Sequence, residues 1–418
     1  MPSAKRDISH VTPVHDGARS LARFLHLSCT SFTRLTLTML TLRSALLCAS
    51  LACAFVVAGC DRIPDTVKIG VAQPMTGPLA ALGNDMKNGV QLAVDELNAE
   101  GFKINGKPVK LEVVAVDDKA NADEGMRAAQ TLVDAGVVAV VGHLNSGVSI
   151  AAAPIYAKGH IAQLAISTKP EYTQLGLSTT LRMVANDALQ SKALGSYAAD
   201  LPGNNKFAVV DDATPYGKGL ADLAAAEIVK AGKTVALRKS LDDKTTDFST
   251  LVPELKAAGV DVFVTTLADF QVGALIEQLV KAELTNMLVI GGDTIKTTKM
   301  ATMAQGIRAV YATSPIVDAA EFPAGAPFLA KFNAAFKGDP VYGAHYAYDS
   351  TYVLAAAMRR AESANPKKVT AQLKVIDALA PVTNNMRFIE GGEQKYGAVS
   401  VYRVTRGVWE TVTRSSNW

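Results

Sequence analysis

Ser146 and Thr168 each stand just past the end of an apolar run, and that is where a small anion can be held. The first run, residues 137–141 (VVAVV), is apolar throughout, as in a strand buried on both faces of a parallel sheet. Gly142 ends it, and a helical pattern opens at Ser146 and continues to residue 157. The second run, residues 161–166, closes on Ile166 and is followed by Ser167 and Thr168. At the carboxyl ends of strands in an open α/β sheet, free N–H groups meet the positive ends of helix dipoles, so hydroxyl residues placed there suit a carboxylate. Ser146 also reads as a helix N-cap, which contributes on the order of 1 kcal/mol. Capping and binding are compatible.

Other chemistry is sparsely provided for. Beyond residue 60 there are three histidines, His143, His160 and His345, with no H-x-x-x-H or H-E-x-x-H spacing and no cysteine partner, which argues against a metal site. No G-x-x-x-x-G-K-[ST] occurs and no G-x-G-x-x-G follows a strand, so no cradle for a nucleotide cofactor is expected. Gly147-Val148-Ser149 lacks the closing glycine of a nucleophile elbow. The expectation is a protein that is not an enzyme and uses no cofactor.

The elements that must position these hydroxyls alternate. A strand at 67–72 leads through Met75-Thr76-Gly77-Pro78 into an amphipathic helix from about 83 to 99, with the Gly-Pro loop delaying its start. A strand at 109–116 and a helix at 121–135 return to the run at 137. This βαβα order implies a parallel sheet with right-handed crossovers. The rhythm then repeats: strands at 207–210, 235–237, 260–265, 287–290 and 309–313, with helices at 216–231, 248–258 and 269–282. Helices at 326–336 and 346–361 and strands at 399–404 and 408–412 complete the chain. Two such sets imply two lobes, each with its own sheet.

All four cysteines, Cys29, Cys48, Cys53 and Cys60, fall in the first 60 of 418 residues, so no disulfide is available later. Residues 46–57 form an apolar run preceded by Arg43, too short for an ordinary spanning helix, and read as a signal sequence. Val57-Ala58-Gly59-Cys60 matches the lipobox of bacterial lipoproteins, with Cys60 the lipidated first residue; a signal starting at Met39 would leave residues 1–38 as an over-extended gene start. Of 42 basic and 39 acidic side chains, six and two precede Cys60, leaving 36 against 37. The formal charge of +3 thus belongs to the leader, and nucleic-acid binding is not supported.

The pattern GHLNSG, AAAPIYA, IST and PE across residues 142–171 closely resembles the leucine/isoleucine/valine-binding proteins of ABC importers, the branched-chain amino acid branch of the type I periplasmic binding proteins. The resemblance extends from residue 67 to about 402, through KIGVAQPMTGP, NGVQLAVDELNAEG, PYGKGLA, TDFSTLVPELKAAGVDVF and IGGDT. It implies an α/β Venus-flytrap fold of two lobes, each a largely parallel sheet flanked by helices, with three interlobe crossings near 185–187, 314–316 and 391–396. The expected layout is a leader over 1–59, a lipidated tether over 60–66, one lobe from 67–186 plus 315–393, and another from 187–314 plus 394–418.

The same resemblance implies roles. Ser146 and Thr168 match positions that bind the amino-acid ligand, with Ile166 and Ser167 contacting it through backbone. Asp293, in IGGDT, falls where the family has an acidic anchor for the ammonium, usually glutamate; its bland reading is a cap for a helix near Thr297. Tyr216 matches a tyrosine lying over the ligand from the second lobe, with core packing as its alternative. Asp187 and Asp211 are weaker acidic candidates. Leu82, and Thr265 or Thr266, stand near positions where some relatives carry aromatic residues. Ala120 and Asn145 replace the cysteines of the family's first-lobe disulfide, so the Asn145 loop is expected to be held by packing alone.

The function so implied is a monomeric extracytoplasmic solute-binding lipoprotein, anchored on the periplasmic or cell-surface side, the inner-membrane face included, that delivers an amino acid to an ABC permease. A sensor of the same fold, or a binder of amides, carboxylates or aromatic acids, is the alternative.

Overall fold

The structure, a computed structural model, describes residues 62–202 and 206–418; the leader and Cys60 lie outside the described residues. The first sheet begins with β1 (Thr66–Gln73), followed by α1 (Ala80–Ala99), a small hairpin of β2 (Lys103–Ile104) and β3 (Lys107–Pro108), and β4 (Lys110–Asp117). It continues through α2 (Ala122–Asp134), β5 (Ala139–Gly142), α3 (Ser146–Lys158), β6 (Ala162–Ala165) and β7 (Thr180–Arg182). Its order is β4-β1-β5-β6-β7, parallel throughout. β1 and β5 are neighbours whose connections run to opposite sides, so a crevice opens outside their carboxyl ends.

The second sheet is fed by α4 (Asp187–Asp200), β8 (Lys206–Asp211), α5 (Pro215–Lys230), β9 (Thr234–Ser240), α6 (Leu251–Ala258), β10 (Val262–Thr265), α7 (Asp269–Lys281), β11 (Leu288–Gly291), α8 (Thr298–Met303) and β12 (Ala309–Ser314). The chain then returns to the first lobe with α9 (Gly325–Phe336), α10 (Ala344–Ala361) and α11 (Pro366–Val375), and with the hairpin β13 (Asp377–Ala380) and β14 (Asn384–Arg387). It crosses once more to add β15 (Val399–Thr405) and β16 (Val408–Ser415) antiparallel to the edge of the second sheet, whose order is β16-β15-β12-β11-β10-β8-β9. The α/β fold with two largely parallel sheets and three crossings is therefore the one expected.

Packing explains the grouping. Val67, Ile69 and Val71 of β1 share a core with Met86, Val90 and Val94 of α1 and with Val353, Leu354 and Met358 of α10, which makes α10 part of the first lobe although it follows the second in sequence. The second sheet is covered on one side by α4 and α5 through Leu194, Leu220 and Ala224, and on the other by α6 and α7 through Leu255, Leu275 and Leu279.

Two differences from expectation have plain causes. α1 starts at Ala80, immediately after the Gly-Pro turn, where the carbonyls of Gly77 and Leu79 accept from the N–H groups of Ala80, Leu82 and Gly83. α4 had no amphipathic signature because both of its sides are covered: Gln190, Ala193, Leu194 and Ala198 are all buried, and Asn186 caps it by accepting from Ala188 N–H at 3.1 Å.

Candidate ligand-binding site

Loops after β1, β5 and β6 in the first lobe, and after β8 and β11 in the second, close around a cavity of about 40 Å³. Leu79 and Leu82 come from the β1 side, Leu144, Asn145 and Ser146 follow β5, and Ile166, Ser167 and Thr168 follow β6. Tyr216 opens α5, Asp293 and Thr294 follow β11, and Tyr342 reaches in from the loop before α10. The cavity has room for roughly three waters. The lobes must part to admit a larger ligand.

One end of the cavity is built for an anion. Asn145 occupies the N-cap of α3 without a side-chain cap bond, and its Oδ1 is buried and unpartnered. Ser146 is the first helical residue, not the cap, and its Oγ accepts from Lys169 N–H at 3.3 Å. The N–H groups of this first turn therefore have no side-chain acceptor of their own, which is the arrangement that attracts a carboxylate. The Ser167–Lys169 backbone beside it is fixed by Arg182, fully buried at the end of β7. Its guanidinium donates to Ser167 O, to Lys169 O at 2.8 Å and to the Glu393 carboxylate at 3.0 Å. Thr168 is thus held from both flanks, while Ser167 Oγ is buried without a partner.

The other end is acidic. Asp293 Oδ1 accepts from Gln190 Nε2 at 2.9 Å and from the Tyr216 hydroxyl at 2.8 Å, and Oδ2 accepts from the Tyr342 hydroxyl at 2.6 Å. Burial and the adjacent Asp293 hold both phenols well above their ordinary pKa, so they remain donors. Asp187, fully buried at the start of α4, has neither carboxylate oxygen in a hydrogen bond of normal geometry. Its pKa is pushed up to about 7 by burial, opposed by the nearby Thr168 hydroxyl and reinforced by Asp293. A buried carboxyl without a partner is costly to ionise, and a cation placed between the two acids removes that cost.

Two further carboxylates hold the loops that carry the site. Asp85 of α1 accepts from the N–H groups of Val341, Tyr342 and Ala344 at 2.8–3.1 Å and so fixes the Tyr342 loop. Asp118 accepts from His143 Nδ1 at 2.7 Å, while His143 Nε2 lies 3.1 Å from the Tyr156 hydroxyl, all three side chains being fully buried. The expectation that packing alone holds the Asn145 loop is corrected by this chain of hydrogen bonds, which ties the loop after β5 to that after β4 two residues from Asn145.

The geometry brings together Leu82, Ser146, Ile166, Ser167, Thr168, Tyr216 and Asp293, with Asp187 against them. Thr265 stands apart: its hydroxyl donates to Val210 O at 2.9 Å and accepts from Leu267 N–H, so it serves the end of β10. Thr266 is likewise engaged with Gly217 O at 2.8 Å, and Asp211 pairs with Arg238 outside the cavity. The helix near Thr297 is capped by Thr297 itself, which leaves Asp293 free of that duty. Sequence reasoning missed Tyr342, Gln190 and Arg182. Tyr342 had one readable signal, an aromatic residue directly before a glycine and a long helix.

The cleft closes on a close approach between lobes. A Cβ on Gly147, in the first turn of α3, would lie 2.9 Å from Pro215 Cγ of α5, and Lys169 Nζ donates to Pro215 O at 3.1 Å.

Residues 66–407 match the family described as periplasmic binding protein. The Leu/Ile/Val-binding protein homolog 2 of Brucella abortus (strain 2308) is 32% identical over 372 residues, which cover 88% of this chain and 97% of that protein. The crystal structure of the leucine binding protein LivK from Thermotoga maritima superposes with a TM-score of 0.76 at 22% identity, over 84% of this chain and 99% of the other. That of the branched-chain amino acid transporter substrate binding protein LivJ from Streptococcus pneumoniae, in complex with isoleucine, gives 0.73 at 24% identity over 84% and 99%.

Proposed function

We propose, for a chain that belongs to the periplasmic binding protein family in the branch of the Leu/Ile/Val-binding proteins, that it binds a zwitterionic α-amino acid with an aliphatic side chain between its lobes. The observation that carries this reading is the pairing of opposite electrostatic ends across one small cavity. The uncapped start of α3, with Ser146 and Thr168, suits the carboxylate, and Asp187 with Asp293 suits the ammonium. Leu79, Leu82, Leu144 and Ile166 offer the side chain an apolar wall. The name of the Brucella relative and the isoleucine in the Streptococcus structure support the branched-chain choice.

The ligand binds while the cleft is open, and the contact from Tyr342 of the first lobe to Asp293 of the second stabilises the closed form, a population shift by hinge bending. The closed form docks on an ABC permease and the ligand is released chemically unchanged. Cys60 carries the lipid that tethers the protein outside the cytoplasm, a reading supported by the lipobox. Cys60→Ala should move the protein from the membrane fraction to the soluble one, and persistence in salt-washed membranes would sink the anchor.

The deciding experiment is calorimetric titration with leucine, 4-methylpentanoate and 3-methylbutylamine. A hydrogen bond to a charged group contributes about 1.5–3 kcal/mol. Leucine should therefore bind ~10–100-fold more tightly than either analogue. Equal affinity for leucine and the deaminated acid would exclude an amino-acid site.

A further inference from the structure

Beside the ligand cavity lies a second one, of about 260 Å³, bounded by α8 and the β15–β16 turn on one side and by α9 and the loop before α10 on the other. Among the described residues, Tyr342 is the single residue that lines both. Its ring is fixed at two points, through its hydroxyl on Asp293 and through its backbone on Asp85, so it stands as a wall between the two spaces. The far side of that wall is polar yet balanced in charge. Lys296 pairs with Asp318 and lies 4.3 Å over the Tyr402 ring. His345 Nε2 donates to Val317 O at 2.8 Å, leaving Nδ1 as a buried acceptor without a partner. Burial lowers the pKa of this imidazole to about 4, so the acceptor is present at neutral pH. Trp409, Leu329 and Ile316 supply apolar surface.

We infer that this compartment is a latent second part of the ligand site, and that the Tyr342 side chain sets the longest ligand the cleft accepts. The inference rests on the amino-acid reading above. With the wall in place, the first cavity takes short aliphatic amino acids. With the ring removed, the two spaces join and admit an amino acid whose long side chain ends in an uncharged amide. A charged end would have to compete with the Lys296–Asp318 pair, whereas an amide N–H can donate to His345 Nδ1 and its alkyl stem can lie along Ile316 and Trp409.

The test uses the full chain in wild-type, Tyr342→Phe and Tyr342→Ala forms, titrated with leucine and with Nε-acetyl-lysine. Both variants lose the hydroxyl, so only the ring distinguishes them, and the ratio of the two affinities is the readout. Tyr342→Ala should shift that ratio toward Nε-acetyl-lysine by at least about tenfold relative to Tyr342→Phe, the scale on which pockets separate side chains of different length. Tyr342→Val should do the same and serves if the alanine form does not fold. The chain has two tryptophans, Trp409 and Trp418, so a Trp418→Phe background reports Trp409 alone. Nε-acetyl-lysine should change its emission in the alanine form in a way that leucine does not. Equal ratios in the alanine and phenylalanine forms, or binding without a Trp409 response, would overturn the inference. Failure of the wild type to bind leucine would instead overturn the amino-acid reading.

Discussion

The Tyr342 hydroxyl, carried by the first lobe, donates to Asp293 Oδ2 of the second at 2.6 Å, and Asp85 accepts three N–H groups of the loop that presents it. The bond can exist only when the cleft is closed. Tyr342→Phe should therefore raise the leucine off-rate ~10–100-fold, the range expected for one hydrogen bond to a charged group, with the on-rate little changed. Stopped-flow displacement measures both. An unaltered off-rate would remove this bond from the closed state's stability.

Gly147 bears on closure from the opposite side of the cavity. Alanine there is the better helix former by about 1 kcal/mol, so the ligand-free protein should be at least as heat-stable as the wild type. Its methyl group, however, meets the rigid Pro215 ring at 2.9 Å. Gly147→Ala should thus weaken leucine binding by about tenfold, the equivalent of about 1.4 kcal/mol, and reduce the compaction seen by small-angle scattering on adding leucine. Normal compaction at normal affinity would show that the lobes close without this approach.

The pKa of Asp187, pushed up to about 7 by burial, makes stability depend on pH in a defined direction. In the unfolded chain the same carboxyl titrates near 4. Between those values the folded protein holds the additional proton, so stability is lost as pH rises. Asp85, Asp212 and Asp349, raised by burial to about 6, act in the same sense, and His345, lowered to about 4, acts against them below pH 6.5. The ligand-free Tm should fall from pH 5.5 to pH 8, with the part above pH 6.5 belonging to Asp187. Asp187→Asn should flatten that part. A ligand ammonium expels the proton, so leucine affinity should rise with pH, by up to about tenfold per unit below pH 7. Calorimetry in two buffers of different ionisation enthalpy should register proton release.

The Asp118–His143–Tyr156 chain makes a separate prediction. Asp118→Ala leaves a buried imidazole N–H without its acceptor, which costs about 1–3 kcal/mol, and urea unfolding should show it. Tyr156→Phe should cost less, about 0.5–1.5 kcal/mol for one neutral hydrogen bond. A loss below about 0.5 kcal/mol for Asp118→Ala would return the loop to packing alone.

Half of the cavity wall is legible in the sequence because it follows strand ends. Ser146, Ile166, Ser167 and Thr168 stand directly after apolar runs that form β5 and β6, and Asp293 directly after β11. Asp187 and Gln190 were harder to place, since α4 is covered on both sides and shows no periodic face. Tyr342 and Arg182 were hidden for a different reason. Their partners, Asp293 and Glu393, lie 49 and 211 residues away, and no local pattern reports a hydrogen bond over that separation. Thr265 shows the converse error: a polar residue at a strand end can be spent wholly on its own turn, as its bonds to Val210 and Leu267 are.

The third crossing sets the timing of assembly during protein synthesis. Glu393 bonds Arg182 and Thr173, which precede it by 211 and 220 residues, and those contacts hold the edge of the first sheet beside Thr168. At about 5–20 residues per second, a ribosome takes roughly 10–40 s to travel from Arg182 to Glu393. For most of that interval the nascent first lobe lacks α10, which covers α1, and for all of it the β7 edge lacks the carboxylate that neutralises Arg182. The N-terminal half therefore cannot complete its lobe until the C-terminal half has been made.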